Sequence, residues 1–142
     1  MTRRRLARGF LRASGIVLIL LGVVHLLATP HIPQLLNDMP AKARDFAVGP
    51  TLLNHVLVGI LLLPLGFTTW LAAAEDHLRD PLARRILIGN SLTVLALPVA
   101  VLLLMRQPQY YQSPLFVAGV VLTALTAVLM AAAAWVAGST KV

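Results

Sequence analysis

The sequence predicts an all-α integral membrane protein, a four-helix up-down-up-down bundle with N and C termini cytoplasmic. Three observations carry that expectation. Of its 142 residues 58% are apolar and 12% charged, and the mean hydropathy of +0.84 lies far outside the ordinary soluble range. Four apolar stretches each approach the roughly 20 residues that cross a bilayer core. Lysine and arginine are shared unequally among the connecting segments, which gives the bundle an orientation.

The first expected span covers about 11–29, preceded by Arg3, Arg4, Arg5, Arg8 and Arg12. No small-x-small cleavage site follows it, so it is expected to stay as a span and not to be removed as a signal peptide. Pro30 and Pro33 end it. An outer loop over about 30–50 is the longest and most polar connection, with a short interfacial helix expected from Pro40, a residue suited to a first helical turn. The loop is expected to lie across the mouth of the bundle.

The second span covers about 51–74 with Pro64 inside it, where a kink is expected. A charged turn follows, in which Glu75 and Asp76 are expected to pair with Arg79, Arg84 or Arg85. The third span, about 86–105, contains Pro98, and the fourth covers about 114–137. The 142 residues then form one domain.

The N-terminal segment, the second loop and the C-terminal Lys141 carry most of the basic residues, while the first and third loops carry only Lys42, Arg44 and Arg106. Both termini are therefore expected in the cytoplasm, and a bacterial-type inner membrane is the expected location. His25, His31 and His55 then fall near the outer face with the Tyr110–Tyr111 pair, and Trp70 and Trp135 mark the inner interface. The net charge of +7 does not point to nucleic acid, because five of the twelve basic residues crowd into the first twelve positions beside the first span.

The first two spans share a near-mirror pattern. One reads Gly15, Gly22, His25; the other reads His55, Gly59, Gly66. In an antiparallel hairpin a rise of about 1.5 Å per residue sets the histidines level, Gly22 near Gly59, and Gly15 near Gly66. Apolar surface gives no drive for helices to associate in lipid, so small residues mark the contacts. The stripes Gly15, Leu18, Gly22, His25, Thr29 and His55, Gly59, Leu62, Gly66, Thr69, Ala73 are therefore read as seams. The third helix offers Gly89, Thr93, Ala96 and Ala100, with Asn90 alongside as glue between helices; the fourth offers Gly119, Thr123, Thr126, Met130 and Ala133.

Ionisable groups inside a span usually face the bundle interior and serve a purpose, which singles out His25 and His55. Two level imidazoles can clamp the helices by hydrogen bonds to each other, to Asn54, to Thr29 or to a free carbonyl. They can also supply both axial ligands of a haem b above Gly22 and Gly59, or hold copper or zinc with His31 as third ligand. His77, among acids, reads as a solvated loop residue. There is no cysteine, no acid within a span, no phosphate loop and no Ser-His-Asp set, so no conventional catalytic centre is expected, nor a proton-coupled cation exporter.

On its span count, outer histidines and Gly-rich first helix, the chain resembles small bacterial four-helix membrane proteins such as the DoxX-like group. It also resembles bis-His haem bundles of the cytochrome b type, and that resemblance implies a single haem, since no second histidine pair stands on the inner side. The expected function is that of a non-catalytic accessory or assembly subunit of a larger membrane complex, or a homo-oligomer, in the lipid bilayer. A haem or copper/zinc protein using His25 and His55 is the alternative, and a small carrier opening at Pro64 and Pro98 the second alternative.

Overall fold

The computed structural model describes residues 3–74, 77–106 and 108–139, and all regular structure among them is helical. Helix α1 spans Arg3–Ala28, α2 Ile32–Leu35, α3 Ala41–Ala72, α4 Pro81–Leu104 and α5 Pro114–Ser139. α1, α3, α4 and α5 are each long and apolar enough to cross a membrane. Glu75, Asp76, Lys141 and the side chains of Arg79 and Tyr110, for which ion pairs, topogenic charge or interface anchoring are expected, lie outside the described residues.

Local chemistry sets the helix ends. Pro30 opens a 3₁₀ turn, Thr29–His31, that terminates α1. At α4 the Asp80 side chain accepts a bond from the Leu82 amide at 2.8 Å, with Pro81 in the first position, where its missing N–H costs nothing. Ser113 stands before Pro114 in the same way and receives the Phe116 amide at 3.4 Å on its hydroxyl. Arg106 Nε donates to the Leu103 carbonyl at 2.9 Å and closes the far end of α4.

At three points a helix extends beyond the expected span, which marks only the apolar part. α1 begins at Arg3 and not near 11, so the basic run is itself helical. α3 begins at Ala41 and not near 51, since the helix expected from Pro40 runs on through Pro50 and Pro64 without a break. A proline removes one N–H per site, and the remaining bonds of a 32-residue helix keep its continuity. Pro81 begins α4 instead of interrupting the turn before it, so that helix starts ahead of the expected 86.

α1 packs most extensively on α3, α4 on α5, then α1 on α5, while α3 and α4 meet over a thin contact. The interior layers are filled by Leu11 and Leu18 of α1, Leu62 of α3, Leu87 and Val94 of α4 and Met130 of α5, all fully or almost fully buried. α5 approaches closely through Ala127, Ala133, Ala134 and Ala137. Thr126, Met130 and Ala133 of its expected face are buried, with Gly119 and Thr123 half-buried.

The expected face of α4 is not its inner face. Gly89, Thr93, Ala96 and Ala100 are exposed, whereas Ala83, Leu87, Ser91, Val94 and Pro98 are buried. Asn90 sets this rotation: its amide nitrogen donates to Thr68 Oγ1 at 2.9 Å and Thr69 Oγ1 at 3.0 Å of α3, with the Leu65 carbonyl at 3.3 Å. Leu87 and Val94 flank Asn90 at helical spacing and turn inward with it.

The α1–α3 seam matches its expected register. A methyl group added at Gly66 would stand 2.6 Å from the Gly15 carbonyl oxygen and 2.8 Å from the Ile19 nitrogen; one at Gly15 would stand 2.7 Å from the Gly66 oxygen. These neighbours are backbone and cannot swing aside. Gly15→Ala and Gly66→Ala should therefore each cost about 1–3 kcal/mol through overpacking, despite alanine's better helix propensity. Gly89→Ala meets no atom within 4 Å and should leave stability unchanged or raise it. Reversible unfolding in mixed detergent micelles measures all three.

Candidate functional site at the His25–His55 pair

The seam that brings Gly22 to Gly59 continues to the end of α1, where His25 and His55 face each other. Their rings stack with centroids 4.7 Å apart and planes 30° from parallel. Both side chains are half-buried. The pair forms because the glycines let the backbones approach: a methyl group at Gly22 would lie 2.9 Å from the Gly59 oxygen, and one at Gly59 3.1 Å from the Gly22 oxygen.

Hydrogen bonds settle how each ring is held. His25 Nδ1 lies 3.0 Å from the Leu21 carbonyl one turn back in α1. His55 Nδ1 crosses the seam to the His25 carbonyl at 3.0 Å and lies 3.3 Å from Thr29 Oγ1. The Thr29 hydroxyl donates to the same His25 carbonyl at 2.8 Å. Carbonyl oxygens only accept, so both rings carry the proton on Nδ1. The His25 carbonyl stands in the last turn of α1, and the side chains of His55 and Thr29 both donate to it. Asn54, a possible partner on sequence grounds, is exposed and stays outside this network.

Both Nε2 atoms therefore keep a lone pair, and neither has a hydrogen-bond partner among the described residues. An imidazole whose Nδ1–H is tied to a carbonyl is the form in which histidine ligates a metal. The pair alone offers two donors. His31 is exposed on the 3₁₀ turn, and no group of three His, Cys, Asp or Glu suited to a metal forms among the described residues. The three-ligand set His25, His31 and His55 is not assembled in this arrangement.

A haem does not fit between the rings. Axial imidazoles present a nitrogen edge to the iron from opposite sides of a porphyrin. Here the two rings present faces to each other at 4.7 Å, and the Gly22–Gly59 contact closes the space below them.

At the other end of the bundle each of two helix pairs carries an arginine over a tryptophan. The Arg12 guanidinium lies 5.8 Å from the Trp70 ring centre and that of Arg84 5.7 Å from Trp135. Arg12 and Trp70 are one turn beyond the Gly15–Gly66 contact, so their meeting is implied by the same mirror spacing. His77 is exposed, with Nδ1 3.2 Å from the Leu71 carbonyl, in keeping with a solvated position.

Compared with protein-family models, curated proteins and solved structures, the chain shows no significant match, so neither resemblance noted above gains support from them.

Two outcomes follow from this geometry. In a double-mutant cycle, His25→Ala and His55→Ala should couple by about 0.5–1.5 kcal/mol, the range for a stacked ring pair, in unfolding titrations of the four proteins. Titration of the purified chain with haemin should leave the spectrum of free haemin unchanged, with no sharpened Soret band.

Proposed function

We infer that this chain is a small multi-pass protein of a bacterial-type inner membrane, an up-down-up-down bundle with both termini cytoplasmic. It acts without catalysis of its own as an accessory or assembly subunit of a larger membrane complex. The observation that carries this reading is the outward stripe Gly89, Thr93, Ala96 and Ala100 on α4. Small residues facing lipid leave the helix surface ready for close approach by another helix. Thr93 already donates to the Gly89 carbonyl at 3.0 Å, so its hydroxyl adds no polar cost to such an approach.

The His25–His55 pair fits this role as a polar clamp, holding the outer end of the α1–α3 hairpin. The Arg12–Trp70 and Arg84–Trp135 contacts suit a cytoplasmic interface, where basic and aromatic side chains gather. The filled layers of Leu11, Leu18, Leu62, Leu87, Val94 and Met130 weigh against a carrier with a wet central route. A second reading, copper or zinc bound through the two Nε2 atoms, is favoured by the Nδ1–carbonyl bonds and needs a further ligand from outside this chain.

Affinity capture of the full chain in mild detergent should recover a partner of larger mass at fixed stoichiometry. Gly89→Leu and Ala96→Leu should each lose that partner while melting like wild type, because both positions are open. A wild-type chain that elutes as a monomer would count against the accessory role. Loss of a second copy of the chain would instead assign the face to a homo-oligomer.

A further inference from the structure

The described residues enclose a groove of about 570 Å³ between the start of α1 and the end of α5. Its walls are apolar, formed by Leu6 and Phe10 on one side and Leu129, Ala132 and Trp135 on the other, and Arg3 stands at its mouth. Ala132 and Ala133 make it concave by their small size. From Arg3 to Phe10 the wall runs about 10 Å along the helix axis, roughly a third of the hydrocarbon thickness.

We propose that this groove binds one anionic diacyl phospholipid, with its phosphate at Arg3 and an acyl chain against Phe10 and Leu129. The occupant must be apolar along most of its length and charged at one end. A helix of another chain meets the first demand and leaves the Arg3 guanidinium without a counter-charge. The groove favours an anion: Arg3 lines it and is exposed, and the first turn of α1 contains no acid. Basic pockets between transmembrane helices bind anionic headgroups by this combination of guanidinium and apolar wall. Trp135 stands at the rim as amphipathic rings do at the headgroup level, and Arg84 over its face steadies that wall. The site lies at the opposite end of the bundle from the histidines and is independent of the accessory role.

Native mass spectrometry of the full chain, with phosphatidylglycerol or phosphatidylcholine added to the detergent, tests the proposal. Wild type should retain phosphatidylglycerol at least about fivefold better than phosphatidylcholine, the advantage of a single arginine near an anionic headgroup. Arg3→Gln should abolish that preference, and Arg85→Gln, an exposed arginine outside the groove, should preserve it. Ala132→Trp, filling the groove from an exposed position, should reduce retention of both lipids without shifting the melting temperature. Equal retention of the two lipids by wild type, equal loss in Arg85→Gln, or undiminished retention in Ala132→Trp would each overturn the assignment. A dimer that Ala132→Trp removes, with no lipid adduct on wild type, would give the groove to a second copy and overturn it as well.

Discussion

The close approach of α1 and α3 at Gly15–Gly66 and Gly22–Gly59 is the constraint on which the other contacts depend. Between helices in lipid, dispersion and polar contacts must supply what hydrophobic burial supplies in water, and both fall steeply with distance. Removing two side chains at each rung brings backbone oxygens within 3.1 Å of where a methyl group would stand. At that separation Leu18 and Leu62 are both buried in the core, and the rungs above and below are set in register. His25 meets His55 one turn beyond Gly22–Gly59, and Arg12 meets Trp70 one turn beyond Gly15–Gly66. Neither meeting survives a slip of the seam.

Polar groups then fix what packing alone leaves free. A helix lined with leucine can rotate against its neighbour at little cost, because many leucine faces are alike. A buried amide or imidazole cannot, since it must find a partner in an environment without water. His55 does so on the His25 carbonyl, and Asn90 on Thr68 and Thr69. One bond ties the hairpin at its connected end, beside the loop between α1 and α3; the other sets the rotation of α4 on α3 across a contact too thin to set it by packing. The bundle is specified by these few bonds, each worth about 0.6 kcal/mol in a membrane, more than it is stabilised by them.

This division explains what could be read from the residues alone. The hairpin was legible because glycine and histidine recur on both helices at seam spacing, and that coincidence constrains both partners at once. The rotation of α4 was not legible from its small residues, because Gly89, Thr93, Ala96 and Ala100 signal close approach without saying to what. Asn90 carried the missing information, since its amide needed Thr68 and Thr69, and Leu87 and Val94 had to turn with it. Hydropathy marks the apolar part of each helix and leaves its polar extension unmarked, because the ends are set by hydrogen bonding. Residues 41–50 are too polar to count as span, yet they are helical, because nothing in Ala41–Gly49 interrupts the ladder and Pro50 removes only one donor. For the site, the level histidines were legible, and the stacking that excludes a porphyrin was not, because it depends on ring orientation and not on register.

The same geometry bears on where a function can reside. Among the described residues the interior layers are closely filled, the Asn90 amide nitrogen has its acceptors, and the histidine rings close on each other at 4.7 Å. What stays uncommitted is on the outside, in the small-residue face of α4 and the basic groove between α1 and α5. The first is exposed on α4 alone, and the second lies between α1 and α5. Neither includes a residue of the Gly15–Gly66 and Gly22–Gly59 seam, so an outside helix or lipid would leave the contacts between α1 and α3 in place. The two Nε2 lone pairs, on half-buried rings, have no hydrogen-bond partner among the described residues. A ligand reaching them must come from another molecule, which makes even a metal at this site a matter of what docks against the bundle.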